Sequence, residues 1–503
     1  MSPPDVLFLA VVVYGFAVFV TPQFDPDFWW TVAIGLQIIA THTVPQHLSF
    51  AFTAVNHPFI SQEWGSELID ALIYRYLGMA AIIFWFAAVT WVGFFLGIKR
   101  ILITNRSRWL VSTGAALVLV SGLQIWGPSP QMYSFALLGV LLVMLDSYRV
   151  RPNKRVLGYV VGLFALWGNL HGGFTIGLGV LAVVLAGEAI TTWRKNGDYL
   201  MPFQLRNLAL ASSVAFLAPM FNPNGVGVYV YPWKLLTNHL AQASLNEWAP
   251  PDFHQVAMLP ALVFLISTLV FARWAKATRL TDILLAGAGA VLMLYAVRDI
   301  PIFALLALPL WADGLEGFWT AMAGRRTRAT VSPMWFVATV MVVIVIAGTI
   351  RIGQQLGSPD NQMQSSAYAT QVGRVICQGP ASRIFAPYGS SGWLIYRIDH
   401  LEPKGVGCSA SSVFIFGEVV LMGRQVFADY LAIAAGGSDA STILRQYRVT
   451  LVWQAVGSPL AVQLQSNSAW TCVYAGAGNI LYAPDSQAKN WHASRSQCPA
   501  SAG

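Results

Sequence analysis

Apolar residues dominate the first 350 positions in long unbroken stretches. Runs of spanning length begin near Val6, Gly78, Trp109, Met132, Leu157, Gly173, Leu208, Leu259, Ile283, Ile302 and Trp335. About 20 apolar residues suffice for a helix to cross a hydrocarbon core, so the pattern predicts about eleven transmembrane helices. Several runs are interrupted by Gly or Pro, which buried membrane helices tolerate because neighbouring groups satisfy the freed backbone. After residue 350 the period changes. Short strand-like runs at Arg383 to Phe385, Trp393 to Ile398, Thr450 to Trp453, Thr471 to Tyr474 and Asn479 to Tyr482 alternate with helical patterns near 419–434, 439–447 and 459–466, the signature of a small α/β domain. The expected organisation is a polytopic α-helical membrane domain over 1–350 and an α/β domain over 351–503, with Gly357-Ser-Pro-Asp-Asn-Gln as the polar boundary between them. No repeat of 20–50 residues is visible.

Composition agrees. The chain is 56% hydrophobic and only 10% charged, where a soluble domain carries about 25% charged residues, and its mean hydropathy is +0.58. Its 30 Lys and Arg against 22 Asp and Glu give a formal net charge of +8. In a membrane protein that excess belongs to cytoplasmic loops, so it argues no nucleic-acid partner. The basic residues fall into five clusters: Lys99, Arg100, Arg106 and Arg108; Arg149, Arg151, Lys154 and Arg155; Arg194, Lys195 and Arg206; Arg273, Lys276 and Arg279; Arg325, Arg326 and Arg328. The alternate loops, 22–77, 126–131, 168–172, 221–258 and 298–300, are poor in basic residues but hold Asp25, Asp27, Glu63, Glu67, Asp70, Glu247, Asp252 and Asp299. These loops should face outward. An odd span count from a cytoplasmic N-terminus then places the α/β domain outside too. Met1 to Pro4 lack a basic leader and Thr21-Pro22 is no cleavage site, so the first span reads as a retained anchor. Cys377, Cys408, Cys472 and Cys498 all lie in the last segment, which suits an oxidising compartment. Three pairings are open, and Cys377 with Cys408 plus Cys472 with Cys498 is favoured.

The first outward loop, 22–77, is the richest in chemistry. It opens with Phe24-Asp25-Pro26-Asp27-Phe28-Trp29-Trp30. Two carboxylates one residue apart, backed by aromatics, suit a general base or a ligand for a divalent cation that neutralises phosphate. Asp25 would otherwise cap a short interfacial helix, and Trp29 and Trp30 would otherwise join an aromatic belt. Further on, His57 and Glu63 precede an amphipathic stretch in which Glu63, Glu67 and Asp70 share one helical face. For Glu67 and Asp70 that face reads as solvated. Asn169-Leu170-His171-Gly172-Gly173 joins two apolar segments, where a polar trio must be hydrogen-bonded or used. No second His or Cys sits at zinc-ligand spacing from His171. The second outward loop, 221–258, supplies Asn222 and the acid Glu247, and Arg298 follows a span, where a guanidinium suits a lipid phosphate. The alternative for Arg298 is an internal pair with Asp299 or snorkelling. No Walker A, Gly-x-Ser-x-Gly or Cys-x-x-Cys motif occurs, so any transfer must be driven by an activated, lipid-linked donor.

At these residues the chain resembles a family of bacterial polytopic membrane proteins that is similar to the GT-C superfamily of lipid-linked-sugar glycosyltransferases. The resemblance is carried by Asp25-Pro-Asp27-Phe-Trp29-Trp30 with Gly35, Glu63-Trp64, Pro130-Gln131, Trp167-Gly-Asn169-Leu-His171-Gly-Gly, Asn222-Pro-Asn-Gly225, Glu247-Trp248-Ala-Pro-Pro251 and Arg298-Asp-Ile-Pro301, and in the tail by Gly392-Trp-Leu-Ile-Tyr-Arg397 and the helix before Tyr430. The chain departs from the family at Thr31, where His is usual, and at Ser129, where Arg is usual. The resemblance implies a polyprenyl-phosphate sugar as donor and transfer to a glycan, lipid or protein acceptor on the outer face of a bacterial inner membrane. Asp25, Asp27, Glu63 and Glu247 are then the catalytic candidates, and Trp29, Trp30, His57, Asn169, His171, Asn222 and Arg298 the substrate-binding ones. The one cofactor the residues suggest is a divalent cation, Mg or Mn, on Asp27. A non-catalytic scaffold that binds a partner through its outer domain is the rival from another class. A flippase fits less well, since transport pathways place ionisable groups near mid-membrane.

Overall fold

The computed structural model describes residues 3–55, 57–103, 107–195, 199–276, 278–323, 334–356, 370–401, 408, 410–491 and 498. Arg106, Arg325, Arg326, Arg328 and the boundary at 357–362 lie outside the described residues. The chain forms two compact units, one of Met1–Gln23, Ala80–Val228 and Gln242–Leu356, the other of Phe24–Met79, Tyr229–Ala241 and Gly357–Gly503. Most of the segment expected as the first outward loop is therefore part of the same unit as the tail.

Helices occur at all eleven expected positions. They are α1 (Pro3–Phe19), α3 (Trp64–Leu102), α4 (Arg108–Ser121), α5 (Gln131–Val150), α6 (Lys154–Leu170), α7 (Phe174–Arg194), α8 (Pro202–Leu217), α11 (Leu259–Phe271), α12 (Leu280–Tyr295), α13 (Ile300–Ala323) and α14 (Met334–Leu356), with the shorter α2 (Phe28–Thr41), α9 (Gly227–Thr237) and α10 (His239–Ser244) between them. Among the described residues six helical stretches are long and apolar enough to cross a membrane. The protein is a multi-pass membrane protein. Helix α3 breaks at Gly78, whose φ of 80° lies in the left-handed region that glycine adopts without steric cost.

In the first unit α13 packs against α4, α11 and α12, while α1 packs against α4 and α14. From Ile302 to Leu308 every side chain of α13 is buried, so this helix is apolar all round. Close helix approach depends on glycine at the α3–α5 contact. A Cβ on Gly93 would come within 3.0 Å or less of Phe135 and Ala136, and small residues are what bring membrane helices into van der Waals range.

The charges left inside this unit are paired. Arg100 donates through Nε to Asp146 at 2.7 Å and through Nη2 to Asp282 at 3.3 Å, and Arg279 reaches the same two acids at 3.1 and 2.9 Å. Arg149 and Thr281 both meet Glu188, at 3.4 and 2.9 Å. Arg100, Arg149 and Arg279, read from sequence as loop charges, thus turn inward to acids on α5, α7 and α12.

The second unit holds a five-stranded sheet of order β2-β1-β3-β5-β4, from β1 (Arg383–Phe385), β2 (Ser412–Val413), β3 (Leu451–Ala455), β4 (Trp470–Gly476) and β5 (Asn479–Pro484). Strand β1 runs parallel to β2 and β3, whereas β5 is antiparallel to both β3 and β4. Four of the five expected strands are present. The fifth is a correction: Trp393 to Ile398 lies in the helix Tyr388–Tyr396 and the wide turn Arg397–Leu401 that follows it. That helix is buried on every side from Ser390 to Tyr396, and an apolar run without a polar face has no period to separate helix from strand. The expected helices are Val419–Ala434, Ala440–Gln446 and Pro459–Gln465. Residue Ala51 bridges to Val413 beyond β2, with Val413 N–H donating to Phe50 O at 2.8 Å and Phe52 N–H to Val413 O at 3.2 Å. Segments 360 residues apart in sequence thus share one sheet edge. Cys377 is bonded to Cys408 and Cys472 to Cys498, as favoured.

Breaking a buried ion pair by removing one partner costs about 3–5 kcal/mol. Asp146→Ala, which strips a carboxylate from both Arg100 and Arg279, is expected to lose that order of stability in detergent, read as a lowered unfolding temperature. Ser147→Ala on the same helix serves as the control.

Candidate functional site

In the second unit the polar side chains gather where α2 begins. Asp25 Oδ1 accepts from the Asp27 N–H at 3.0 Å, and the Phe28 N–H bonds to Asp25 O at 3.0 Å. This turn launches α2 and aims the Asp27 side chain, whose Oδ1 accepts from Trp30 Nε1–H at 3.0 Å. Gly417 lies directly against the pair. A Cβ there would overlap the Asp27 carboxylate and come within 2.5 Å of the Trp30 indole nitrogen, so the close approach requires glycine at 417. Trp30 also packs edge-on to Phe416. Trp29 is 1% exposed, in a cluster with Phe24, Phe28, Tyr74 and Tyr396. His57 meets the Leu421 carbonyl through Nδ1 at 2.9 Å.

Behind Gly417 stands Glu418, 3% exposed. Its Oε2 accepts from the Tyr231 hydroxyl at 3.0 Å, and its Oε1 is buried without a hydrogen-bond partner. Burial, with the nearby Glu63 charge, pushes the Glu418 carboxyl up to about 8, against the pull of the Tyr231 hydroxyl and the Val420 and Leu421 amides. Burial raises the Tyr231 phenol as well, helped by Glu418, Glu63 and Asp27. Asp27, Glu63, Tyr231 and Glu418 therefore interact within one site. Glu67 and Asp70 overturn the solvated reading, because Glu67 is 3% and Asp70 0% exposed. The Ser61 hydroxyl donates to Glu67 Oε2 at 2.7 Å. The face they share with Glu63 is covered by its own unit, and helical spacing alone cannot tell a face turned to water from one turned to protein. Among the described residues no group of three or more His, Cys, Asp or Glu side chains is placed to hold a metal ion.

In the first unit a second cluster forms between α5, the α6–α7 turn and the start of α13. Arg298 Nη1 donates to Glu247 Oε1 at 2.9 Å, and its guanidinium lies over the Trp248 ring at 4.8 Å. The partner of Arg298 is thus Glu247, where Asp299 was the expected internal alternative. Gln131 Nε2 donates to the Arg298 carbonyl at 2.6 Å. His171 Nδ1 lies 2.6 Å from Ser134 Oγ and accepts from the Gly173 N–H at 3.0 Å, while Trp167 Nε1–H donates to Ser134 Oγ at 2.8 Å. Burial and the Arg298 charge lower the His171 imidazole to about 3. Asn222 donates to Gly168 O at 3.0 Å and Asn169 to Ala165 O at 2.7 Å and Phe221 O at 3.1 Å, which fixes the turns on either side.

The structure therefore brings Asp25, Asp27, Trp30 and Glu63 together in one unit, and His171, Arg298 and Glu247 together in the other. Sequence reasoning missed Tyr231, Glu418, Ser134 and Trp167 as members of these sites. Glu418 carried a signal, as a lone carboxylate inside the apolar run Phe414 to Met422, since an acid there must be paired or neutral. Tyr231 and Ser134 carried none.

This architecture, a multi-pass helical unit with a small α/β unit, is a GT-C-like fold. Two solved structures share it over most of their length. One is the archaeal oligosaccharyltransferase AglB from Archaeoglobus fulgidus in complex with an inhibitory peptide and a dolichol-phosphate, 11% identical, with 95% of this chain and 74% of that chain covered and a TM-score of 0.51. The other is the Archaeoglobus fulgidus oligosaccharyltransferase in the apo form, 11% identical, with 97% and 75% covered and a TM-score of 0.50. ArnT from Cupriavidus metallidurans bound to undecaprenyl phosphate aligns at 13% identity over 95% of this chain and 97% of that chain, with a TM-score of 0.44. At such identities the likeness is one of fold. No family model matches the chain, and no curated protein matches it.

The Glu418 environment has a thermodynamic consequence. A carboxyl whose folded value is raised from 4.5 to about 8 binds its proton more tightly when folded. Its contribution is whole below pH 4.5 and is lost as pH rises through 8. Unfolding followed by tail tryptophan fluorescence should therefore show stability falling between those pH values. Glu418→Gln is expected to flatten that slope.

Proposed function

We propose that this chain is a membrane glycosyltransferase that moves a sugar from a polyprenyl-phosphate-linked donor to a glycan, lipid or protein acceptor on the outer face of a bacterial inner membrane. The observation that carries the reading is the Asp27 carboxylate, held by Trp30 and Gly417 among other acids, in a chain with a GT-C-like fold. Asp27 is half-buried. Like charges nearby favour the protonated form of a carboxyl, so Glu63 and Glu418 make Asp27 a better proton acceptor. Glu63 shares that role and Asp25 orients Asp27 through its backbone.

In the reaction the acceptor hydroxyl gives its proton to Asp27 as its oxygen attacks the anomeric carbon. A new carbon–oxygen bond forms there and the bond to the donor phosphate breaks. The electron pair leaves with the polyprenyl phosphate, whose charge Arg298 takes up, Glu247 orienting the guanidinium. The donor itself is the energy source, which fits a chain without a nucleotide-binding motif. The AglB structure's dolichol-phosphate and peptide support a lipid phosphate and an acceptor of this general kind. Sidedness rests on the basic clusters, which favour a cytoplasmic N-terminus, and on the two disulfides, which favour an oxidising compartment for the tail. Mg or Mn would need ligands beyond those the described residues assemble around Asp27.

General-base catalysis contributes about 10²–10⁴-fold. Membranes carrying Asp27→Asn should lose transfer of radiolabelled sugar from a metabolically labelled lipid extract by at least about 10²-fold, with the unfolding temperature held. Full transfer by that variant would overturn the reading, and would turn attention to the scaffold.

A further inference from the structure

Ser134 and Trp167 belong to no motif with a known role, yet they form an unbroken hydrogen-bond chain to His171. Trp167 is 0% and Ser134 3% exposed. An indole N–H only donates, so Trp167 Nε1–H occupies a lone pair of Ser134 Oγ, at 2.8 Å. The hydroxyl proton is then directed to His171 Nδ1, 2.6 Å away. The Gly173 amide, also a pure donor, points at that same nitrogen from 3.0 Å. Two donors on Nδ1 make it the unprotonated nitrogen, and the ring proton resides on Nε2. An imidazolium would set an Nδ1 proton against the Gly173 N–H. A Cβ at Gly173 would overlap Ser134 Oγ, so the turn is kept open by glycine.

One helical turn links this chain to Arg298. Gln131 and Ser134 are three residues apart on α5 and share its face. Gln131 holds the Arg298 carbonyl at 2.6 Å while Ser134 holds His171. The charge of Arg298 is felt at His171.

We propose that Trp167 and Ser134 are positioning residues that lock His171 as a neutral Nε2–H donor, and that this donor and Arg298, set by one turn of α5, jointly bind a phosphate group. This rests on the lipid-phosphate reading above and names the residues that serve it. A neutral donor adds a directed hydrogen bond to the phosphate while leaving the full charge attraction to Arg298, so the site can release a product that is itself a phosphate. The low imidazole pKa agrees with this geometry.

The test uses the full-length protein in detergent, with ¹⁵N-histidine labelling and farnesyl phosphate as the probe. At pH 7 the His171 signals, assigned by their loss in His171→Ala, should show an unprotonated Nδ1 and a protonated Nε2. A hydrogen bond to a charged group is worth about 1.5–3 kcal/mol, roughly 10–100-fold in affinity, and His171→Ala and Arg298→Gln should each weaken farnesyl phosphate binding by that order. Ser134→Ala should mix the tautomers and weaken binding by a smaller factor, and Ser134→Thr should restore both. An imidazolium or an Nδ1–H tautomer in the unaltered protein, or affinity that His171→Ala leaves unchanged, would overturn the proposal. So would no binding at all. Binding that depends on His171 in a protein without transfer would sink the glycosyltransferase reading alone. Transfer with His171-independent binding would sink only this one.

Discussion

In a chain that is 56% hydrophobic, a polar group removed from water has few partners to choose from, and each must find one or change its charge. Arg100 and Arg279 meet Asp146 and Asp282. Glu67 takes the Ser61 hydroxyl, and His171 stays neutral between Ser134 and Gly173. Glu418, with a single phenolic partner and a buried second oxygen, is the group for which pairing is incomplete. Its carboxyl accordingly moves toward the neutral form. The same demand that orders the interior thus creates the perturbed groups that acid and base chemistry draws on.

Backbone geometry supplies the other half of the site. The Asp25–Asp27 turn fixes where α2 begins, and three residues later Trp30 reaches back to the Asp27 carboxylate. Glycine at 417 lets another strand of chain lie against that carboxylate, and glycine at 173 lets Ser134 reach His171. In each case the missing side chain makes room for a directed contact between polar groups.

Most of the helical framework was legible because a membrane-length apolar run has only one structure that satisfies its backbone. All eleven runs are helices. The tail was legible where strands alternate, and illegible at Trp393 to Ile398, where a helix buried on every side shows no polar face. Asp25, Asp27 and Trp30 could be singled out because two carboxylates at a helix start are unusual in an apolar chain. Glu67 and Asp70 were misread for the opposite reason: acids at helical spacing look the same whether the face meets water or a folded partner, and here it is buried.

The sequence by itself determined the class of molecule, the helices and the favoured cysteine pairing, because these follow from local period, composition and the few cysteines present. Only the tertiary structure decided which polar groups meet. Tyr231 and Glu418 are 187 residues apart, and His57 and Leu421 are 364 apart. Contacts over such separations depend on how helices and strands pack, and no local preference of either residue encodes them. The protonation state of a side chain is likewise a property of its surroundings. Ser134 and His171 show this at the smallest scale, since a serine carries no sign of the imidazole it will fix until two helices place them 2.6 Å apart.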